Sequence, residues 1–252
     1  MHRFYLPPPQ CQGLTLTLTG AEAHHALDVL RIKTGQPVVV LDGAGHEFTC
    51  TVRAVDHKTV TLAVGQTHSS PAPSCRVTLV QAVPKGKLLE TIIQKATELG
   101  AFRIIPLLSE RVATRLENEG VQHKAEKWQQ AAVEAIKQCG QRWLPQVEAP
   151  VTLPALLARG EHFDLSLVGS LQHDARHPRE YFRSFQIDAK GQPSAIRIWI
   201  GPEGDFTDSE LSAIRNAGGR PISLGPLVLR SDTAALYALS IVSYELQVPP
   251  TL

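Results

Sequence analysis

The sequence predicts an α/β fold with a mainly parallel sheet over residues 75–252, preceded by a small β-rich domain over residues 1–70. Three observations carry this reading. After residue 75, apolar β-rich runs alternate with segments of helical periodicity, the pattern of a parallel sheet covered on both faces. Before residue 70, short strand-like runs follow one another between turn residues, as in a small barrel or sandwich. Finally, two glycine–proline loops, Gly201-Pro202-Glu203-Gly204 and Leu224-Gly225-Pro226-Leu227, each follow an apolar β run and precede a helix.

In the first part, Leu14–Leu18 alternates with period two, as a half-buried strand should. Gly20–Leu30 gives one short helix, and Val38–Leu41, Glu47–Val55 and Thr59–Val64 are further strands. The pair His24-His25 is read as capping or packing the short helix rather than binding metal. Gln66–Ser74 is polar and carries prolines, so the domain boundary is placed there. Beyond it, Val77–Val83 is a strand, and Leu88, Leu89, Ile92, Ile93, Ala96 and Leu99 mark one face of a helix stopped by Gly100. Arg103–Leu108 is a buried strand, and a longer helix runs from Glu119 to Cys139. Leu165–Val168, Ile196–Ile200 and Pro221–Leu224 are strands. Thr207 and Glu210 form the capping box that opens a helix over Asp208–Ala217, and Ser231–Leu246 is a final apolar helix.

Composition narrows the function classes. With 25 Lys+Arg against 24 Asp+Glu, net charge makes no case for nucleic-acid binding, so any basic surface has to be local. Cys11, Cys50, Cys75 and Cys139 are scattered and read as reduced thiols, neither metal ligands nor a disulfide framework. No apolar run approaches the ~18 residues of a membrane span, and Met1-His2-Arg3-Phe4 opens no signal peptide, so a cytoplasmic protein without a membrane partner is expected. The phosphate-cradling, nucleophile-elbow and zinc-protease motifs are absent. Alone, either Gly-Pro loop reads equally as a tight turn. Two of them after two strands would place stiff backbone at the carboxyl edge of a parallel sheet, where such folds bind ligands.

The pair, Gly201-Pro202-Glu203-Gly204 with Leu224-Gly225-Pro226-Leu227-Val228-Leu229-Arg230-Ser231-Asp232-Thr233-Ala234, closely resembles the ribosomal RNA small subunit methyltransferase E family of the SPOUT superfamily. The resemblance extends to Lys85-Gly86-Lys87 with Ile93–Gly100, to Pro106–Arg111, to Lys127-Trp128 through Gly140 and Pro145, and to Arg3-Phe4-Tyr5 and Val29-Leu30-Arg31. Two departures stand out: Asp205 replaces a usual glycine, and Ser231-Asp232-Thr233 replaces Thr-Glu-Thr, each keeping a capping oxygen and an acidic group.

What this resemblance implies is a trefoil-knotted SPOUT methyltransferase domain behind a PUA-like RNA-binding β domain, a homodimer, bound S-adenosylmethionine, and no metal. The family methylates N3 of one uridine in 16S ribosomal RNA within the assembled small subunit. A methyltransferase for another RNA site, such as a ribose 2′-OH, and a non-catalytic RNA-binding assembly factor are the alternatives. The methyl donor carries no phosphate, so its site needs backbone amides and aliphatic walls more than cations. The resemblance assigns it Gly169, Ser170 and Leu171 from one loop and Ile200, Gly201, Pro202, Glu203 and Gly204 from the next. Leu224, Gly225, Leu227, Leu229, Thr233 and Ala234 come from the third. Arg230 is the choice for stabilising charge on the uracil ring, its alternative being a cap or an ion pair to Asp232 or Glu203. Arg3, Arg31, Lys85, Lys87, Arg111 and Arg142 are the expected RNA contacts, with Lys95 and Arg115 as further candidates.

Overall fold

In a computed structural model, which describes residues 1–86, 88–111 and 118–247, the chain divides into two units, Met1–Ala72 with Val133–Leu144 and Pro73–Ala132 with Pro145–Leu252. The strands are β1 (His2–Tyr5), β2 (Thr15–Leu18), β3 (Pro37–Leu41), β4 (His46–Val55), β5 (Val60–Ser69), β6 (Arg76–Ala82), β7 (Arg103–Leu108), β8 (Gln146–Val147), β9 (Val151–Thr152), β10 (Leu165–Gly169), β11 (Ala195–Ile200) and β12 (Arg220–Ile222). The helices are α1 (Gly20–His24), α2 (Leu88–Glu98), α3 (Asn118–Cys139), α4 (Leu153–Leu157), α5 (Pro178–Ala189), α6 (Asp208–Asn216) and α7 (Ser231–Gln247).

In the first unit the sheet order is β1-β3-β4-β5-β2, antiparallel except where β1 runs beside β3. Alternation sorts the side chains: Leu16 and Leu18 turn inward while Thr15 and Thr17 face water. They join Phe4, Val38, Val40, Val52, Val60 and Leu62 in one core, closed by Ala23 and Ala26. Past α1 the chain continues as a π-helical turn over His25–Val29 rather than one uniform helix. Strand β3 does not alternate, because its other face is covered as well: Val39 and Leu41 pack with Ile136 of α3, with Tyr5 and Leu144 beside them. The last turns of α3 therefore belong to this unit, a placement that the 1–70 boundary does not foresee. Lys137 is buried there between Glu22 (2.8 Å) and Glu134 (3.0 Å). Arg3 donates from Nη1 to the carbonyls of Lys137 (3.2 Å) and Gln138 (2.9 Å), serving the last turn of α3 where orphan carbonyls and the dipole favour a cation. Gln66–Ser69, expected as linker, extend β5, since their backbone pairs with His46–Thr49 across a bulge.

The second unit holds an all-parallel sheet in the order β12-β10-β11-β6-β7-β8, with β9 also on β7. Val80, Ile105, Leu107, Val168 and Trp199 of the strands pack with Leu153, Leu156, Leu211 and Ile214 of α4 and α6. The capping box forms as read: Thr207 Oγ1 accepts from Glu210 N (3.3 Å) and Glu210 Oε2 from Thr207 N (2.9 Å). The second Glu210 oxygen accepts from Glu110 N at 2.8 Å, so this buried carboxylate also fixes the turn after β7. Helix α5 went unread because it buries only Pro178 and Phe182 and opens on an unusual cap, His177 Nδ1 accepting from Arg179 N (3.2 Å). Among the described residues no helix is long and apolar enough to cross a membrane.

Arg3→Ala strips two charge-assisted hydrogen bonds from the end of α3. Chemical denaturation is expected to show a loss of about 1–2 kcal/mol; an unchanged midpoint would mean that water serves those carbonyls equally well.

Candidate active site

The carboxyl ends of β10, β11 and β12 open into a cavity of about 460 Å³. Three loops wall it. The first carries Gly169, Ser170, Leu171, Gln172, His173 and Ala175; the second Ile200, Gly201, Pro202, Glu203 and Asp205; the third runs from Ser223 to Leu229. Ser231 and Ala234 from the start of α7 complete it.

Glycine is needed here for stated reasons. A Cβ on Gly169 would meet Ile200 Cδ1 at 3.2 Å and Leu224 Cδ1 at 3.3 Å, so its absence lets three walls approach. On Gly201 it would meet Asp205 Oδ1 at 2.9 Å and Phe206 N at 3.1 Å. The obstacle to a larger residue at 201 is thus its own loop, not only a ligand. That loop is a tight turn: Asp205 N donates to Pro202 O (2.9 Å), and Asp205 adopts a φ of 60°. Its Oδ1 accepts from Phe206 N at 2.7 Å, the local bond that makes the left-handed region tolerable for aspartate. Arg111 Nη1 donates to the Gly204 carbonyl and to Asp205 O (3.5 Å), bracing the loop from outside.

A hydrogen-bonded chain joins the second and third loops from below. Gln81, fully buried at the end of β6, donates from Nε2 to Ser231 Oγ (2.9 Å) and to Ala82 O (3.0 Å). The Ser231 hydroxyl then donates to Gly201 O at 2.7 Å. The first residue of α7 is thereby fixed to the residue that follows β11.

The chemistry of the walls is selective. The lining residues include two carboxylates, Glu203 and Asp205, and neither lysine nor arginine. Leu171, Leu227 and Val228 are large apolar side chains left 62%, 72% and 80% exposed around the opening. Such a site suits a partly apolar ligand bearing positive charge and offers nothing to a phosphate.

Arg230 does not line the cavity; it sits exposed between the wall residue Leu229 and Ser231. Among the described residues no hydrogen bond or ion pair engages its guanidinium, so the pairing to Asp232 or Glu203 is not formed. One Asp232 oxygen instead lies buried without a partner. Gly204 and Thr233, expected at the cofactor, lie outside the cavity lining, Gly204 beside Arg111 and Thr233 exposed on α7. His173, Gln172 and Ala175 were missed, since the segment after β10 carries no motif. Pro226 and Val228, within the third loop, line the cavity as well.

Residues 70–243 match the RNA methyltransferase domain family, and residues 18–64 match the RNA methyltransferase PUA domain. Ribosomal RNA small subunit methyltransferase E of Bacillus subtilis is 32% identical over 92% of this chain and 90% of its own length. The chain belongs to the ribosomal RNA small subunit methyltransferase E family. A Legionella pneumophila methyltransferase solved with bound cofactor SAM superposes with a TM-score of 0.86 at 31% identity, covering 96% of each chain. A Neisseria gonorrhoeae member of the family, bound to S-adenosyl methionine, gives 0.83 at 25% identity over 97% of each chain. The fold is thus an α/β RNA methyltransferase fold with a PUA-type domain.

The basic residues expected at RNA fare differently. Arg31 is exposed with a left-handed φ of 52°, and neither it nor the exposed Lys85 has an ion-pair partner among the described residues. Arg3 serves the end of α3, Arg111 braces Gly204, and Arg142 bonds Ser70 Oγ (2.7 Å) and Glu47 (3.4 Å). Lys95 pairs with Glu98 at 2.9 Å. Lys87 and Arg115 lie outside the described residues.

Ser231→Ala leaves the Gly201 carbonyl and one Gln81 donor without their partner. A stability loss of about 1–3 kcal/mol is expected in denaturant titrations, and a neutral result would show that the two loops are held together by other contacts.

Proposed function

We propose that this chain transfers a methyl group from S-adenosylmethionine to N3 of a uridine in 16S ribosomal RNA, in the assembled small subunit and hence in the cytoplasm. The observation that carries the reading is the charge of the cavity: two carboxylates, apolar walls and no lining cation. S-adenosylmethionine, when bound, supplies an activated methyl group on a positively charged sulfur. The residues present fit it. The backbone of Gly225 is open to close approach, Leu171, Leu224, Leu227 and Leu229 offer aliphatic surface, and Glu203 answers positive charge.

Uridine N3 holds its proton near neutral pH and becomes nucleophilic as that proton leaves. Negative charge then spreads onto O2 and O4, and a cation placed there lowers the barrier. Arg230 is suited to this role, being exposed beside the cavity wall with its guanidinium uncommitted. Arg31 and Lys85 are the proposed phosphate contacts, as free exposed cations on the two units.

Two further elements belong to this reading. The trefoil knot is supported by the strand order β12-β10-β11, in which β10 lies between two later strands, and by the bond from Ser231 back to Gly201. A homodimer is supported by the outer face of α7, where Tyr237 and Tyr244 are 48% and 60% exposed and border a groove with His177, Arg179 and Ile241. Light scattering is expected to report a dimer at micromolar concentration, and a monomer there would remove this part of the proposal.

Nucleoside analysis of 16S RNA from a deletion strain should show loss of one N3-methyluridine, restored by the wild-type chain. Loss of a ribose-methylated nucleoside, or no loss, would reject the N3 assignment. Arg230→Ala should lower single-turnover methylation at saturating RNA by 100-fold or more, on the order of 3 kcal/mol of transition-state stabilisation, with RNA affinity nearly kept. Lost RNA affinity with normal single turnover would make Arg230 a docking residue.

A further inference from the structure

Strand β11 lies inside a parallel sheet, between β10 and β6, where continuous apolar runs are the rule. Arg197 breaks that rule at 5% exposure. In register it stands between Ser166 of β10 and Thr78 of β6, and Thr78 stands beside Arg103 of β7, so one polar row crosses the sheet. The two arginines of that row are treated differently. Arg103 is neutralised by Glu148 (3.3 Å) and Glu161, carboxylates it shares with Arg159. Arg197 is not. Its guanidinium carbon lies 4.4 Å from the Phe163 ring and 4.6 Å from the Trp199 ring, and its Nε donates to Ser166 Oγ at 3.3 Å.

Aromatic faces satisfy the flat sides of a guanidinium but not the N–H groups in its plane. Apart from the Nε bond to Ser166, those groups have no acceptor among the described residues. Arg197 lines a cavity of about 320 Å³ with Glu161, His162, Asp164, Ser166 and Arg220, at the opposite edge of the sheet from the methyl-donor cavity. The two carboxylates of the lining are held differently, Glu161 by arginines and Asp164 by neutral donors alone. Asp164 Oδ2 accepts from Ser194 N, Ser194 Oγ and Ala195 N, and Glu161 belongs to Arg103 and Arg159. Arg220 is exposed, lies 5.6 Å from the Tyr181 ring and makes no ion pair among the described residues. Burial pushes Arg197 down to about 10, which leaves it charged at neutral pH. A buried, charged, half-satisfied fork opening into a polar cavity asks for an acceptor.

We propose that this second cavity binds a small oxyanion of the phosphate class, gripped in the guanidinium plane by Arg197 and neutralised further by Arg220. Glu161 is balanced within its own network with Arg103 and Arg159, so against Arg197 and Arg220 stands the single charge of Asp164, which leaves a net positive charge for an oxyanion; the planar fork matches two oxygens of one phosphate. The site stands apart from methyl transfer and does not depend on it.

Titration calorimetry with sodium phosphate, at ionic strength held constant with chloride, tests this. One phosphate per chain is expected to bind the wild-type protein. Arg220→Gln should weaken it about tenfold, the loss of one charge-assisted contact, and Arg197→Met should abolish it, with circular dichroism confirming that each variant is folded. Should Arg197→Met fail to fold, the exposed Arg220 variant decides alone. A dephosphorylated RNA oligomer that displaces phosphate assigns the anion to an RNA backbone, and one that does not assigns it to free phosphate. No binding by wild-type protein up to about 10 mM, tenfold above a dissociation constant of ~1 mM, or wild-type affinity in the Arg220 variant, overturns the proposal.

Discussion

The donated hydrogen bonds from Gln81 to Ser231 and from Ser231 to Gly201 tie together three points that are distant in sequence: the end of β6, the start of α7 and the end of β11. Each bond is ordinary in length. Their importance lies in where they occur, running from the fully buried Gln81 up to Ser231 and Gly201 in the cavity wall. In such a place a lost partner costs more than a made bond contributes, so the geometry tolerates little drift. The third loop reaches the cavity only because α7 begins where it does, and the second loop holds its turn only while Gly201 stays fixed. Asp205 with its own backbone bond, and Arg111 on the Gly204 carbonyl, complete the constraint from the other side.

Charge is organised on the same sheet by edge. At the carboxyl edge the cavity shows carboxylates and no lining cation, while toward the amino edge arginines gather together with the carboxylates Glu148, Glu161 and Asp164. A parallel sheet makes this separation natural, because all its strand ends of one kind lie together. The network of Arg103, Arg159, Glu148 and Glu161 closes on itself there, holding the Glu161 carboxyl below its ordinary range through its bond to Arg103. Arg197, one register step away from Thr78 and two from Arg103, is left out of that closure.

How much of this was readable follows from what is local. Strand β7 is legible over its observed span because Ile104–Leu108 is an apolar run soon after a glycine stop. Helix α6 was read because its capping box lies within four residues. The Gly-Pro loops announced themselves for the same reason. What stayed hidden arrives from elsewhere in the chain. Nothing near Gln81 says that it meets Ser231, nothing near Arg3 says that it meets the end of α3, and His173 has no motif around it. The unbroken Val38-Val39-Val40-Leu41 run did carry a signal of cover on both faces, but not the information that residues 133–144 provide it.

Leu171, Leu227 and Val228 stand in water at one opening, although side chains of this kind usually lie inside. Each 100 Å² of such surface left wet is worth on the order of 2.5 kcal/mol on transfer, so a molecule that covers these side chains gains more than the inner walls alone offer. The rim therefore rewards a ligand or substrate that reaches past the cavity over one that only fills it.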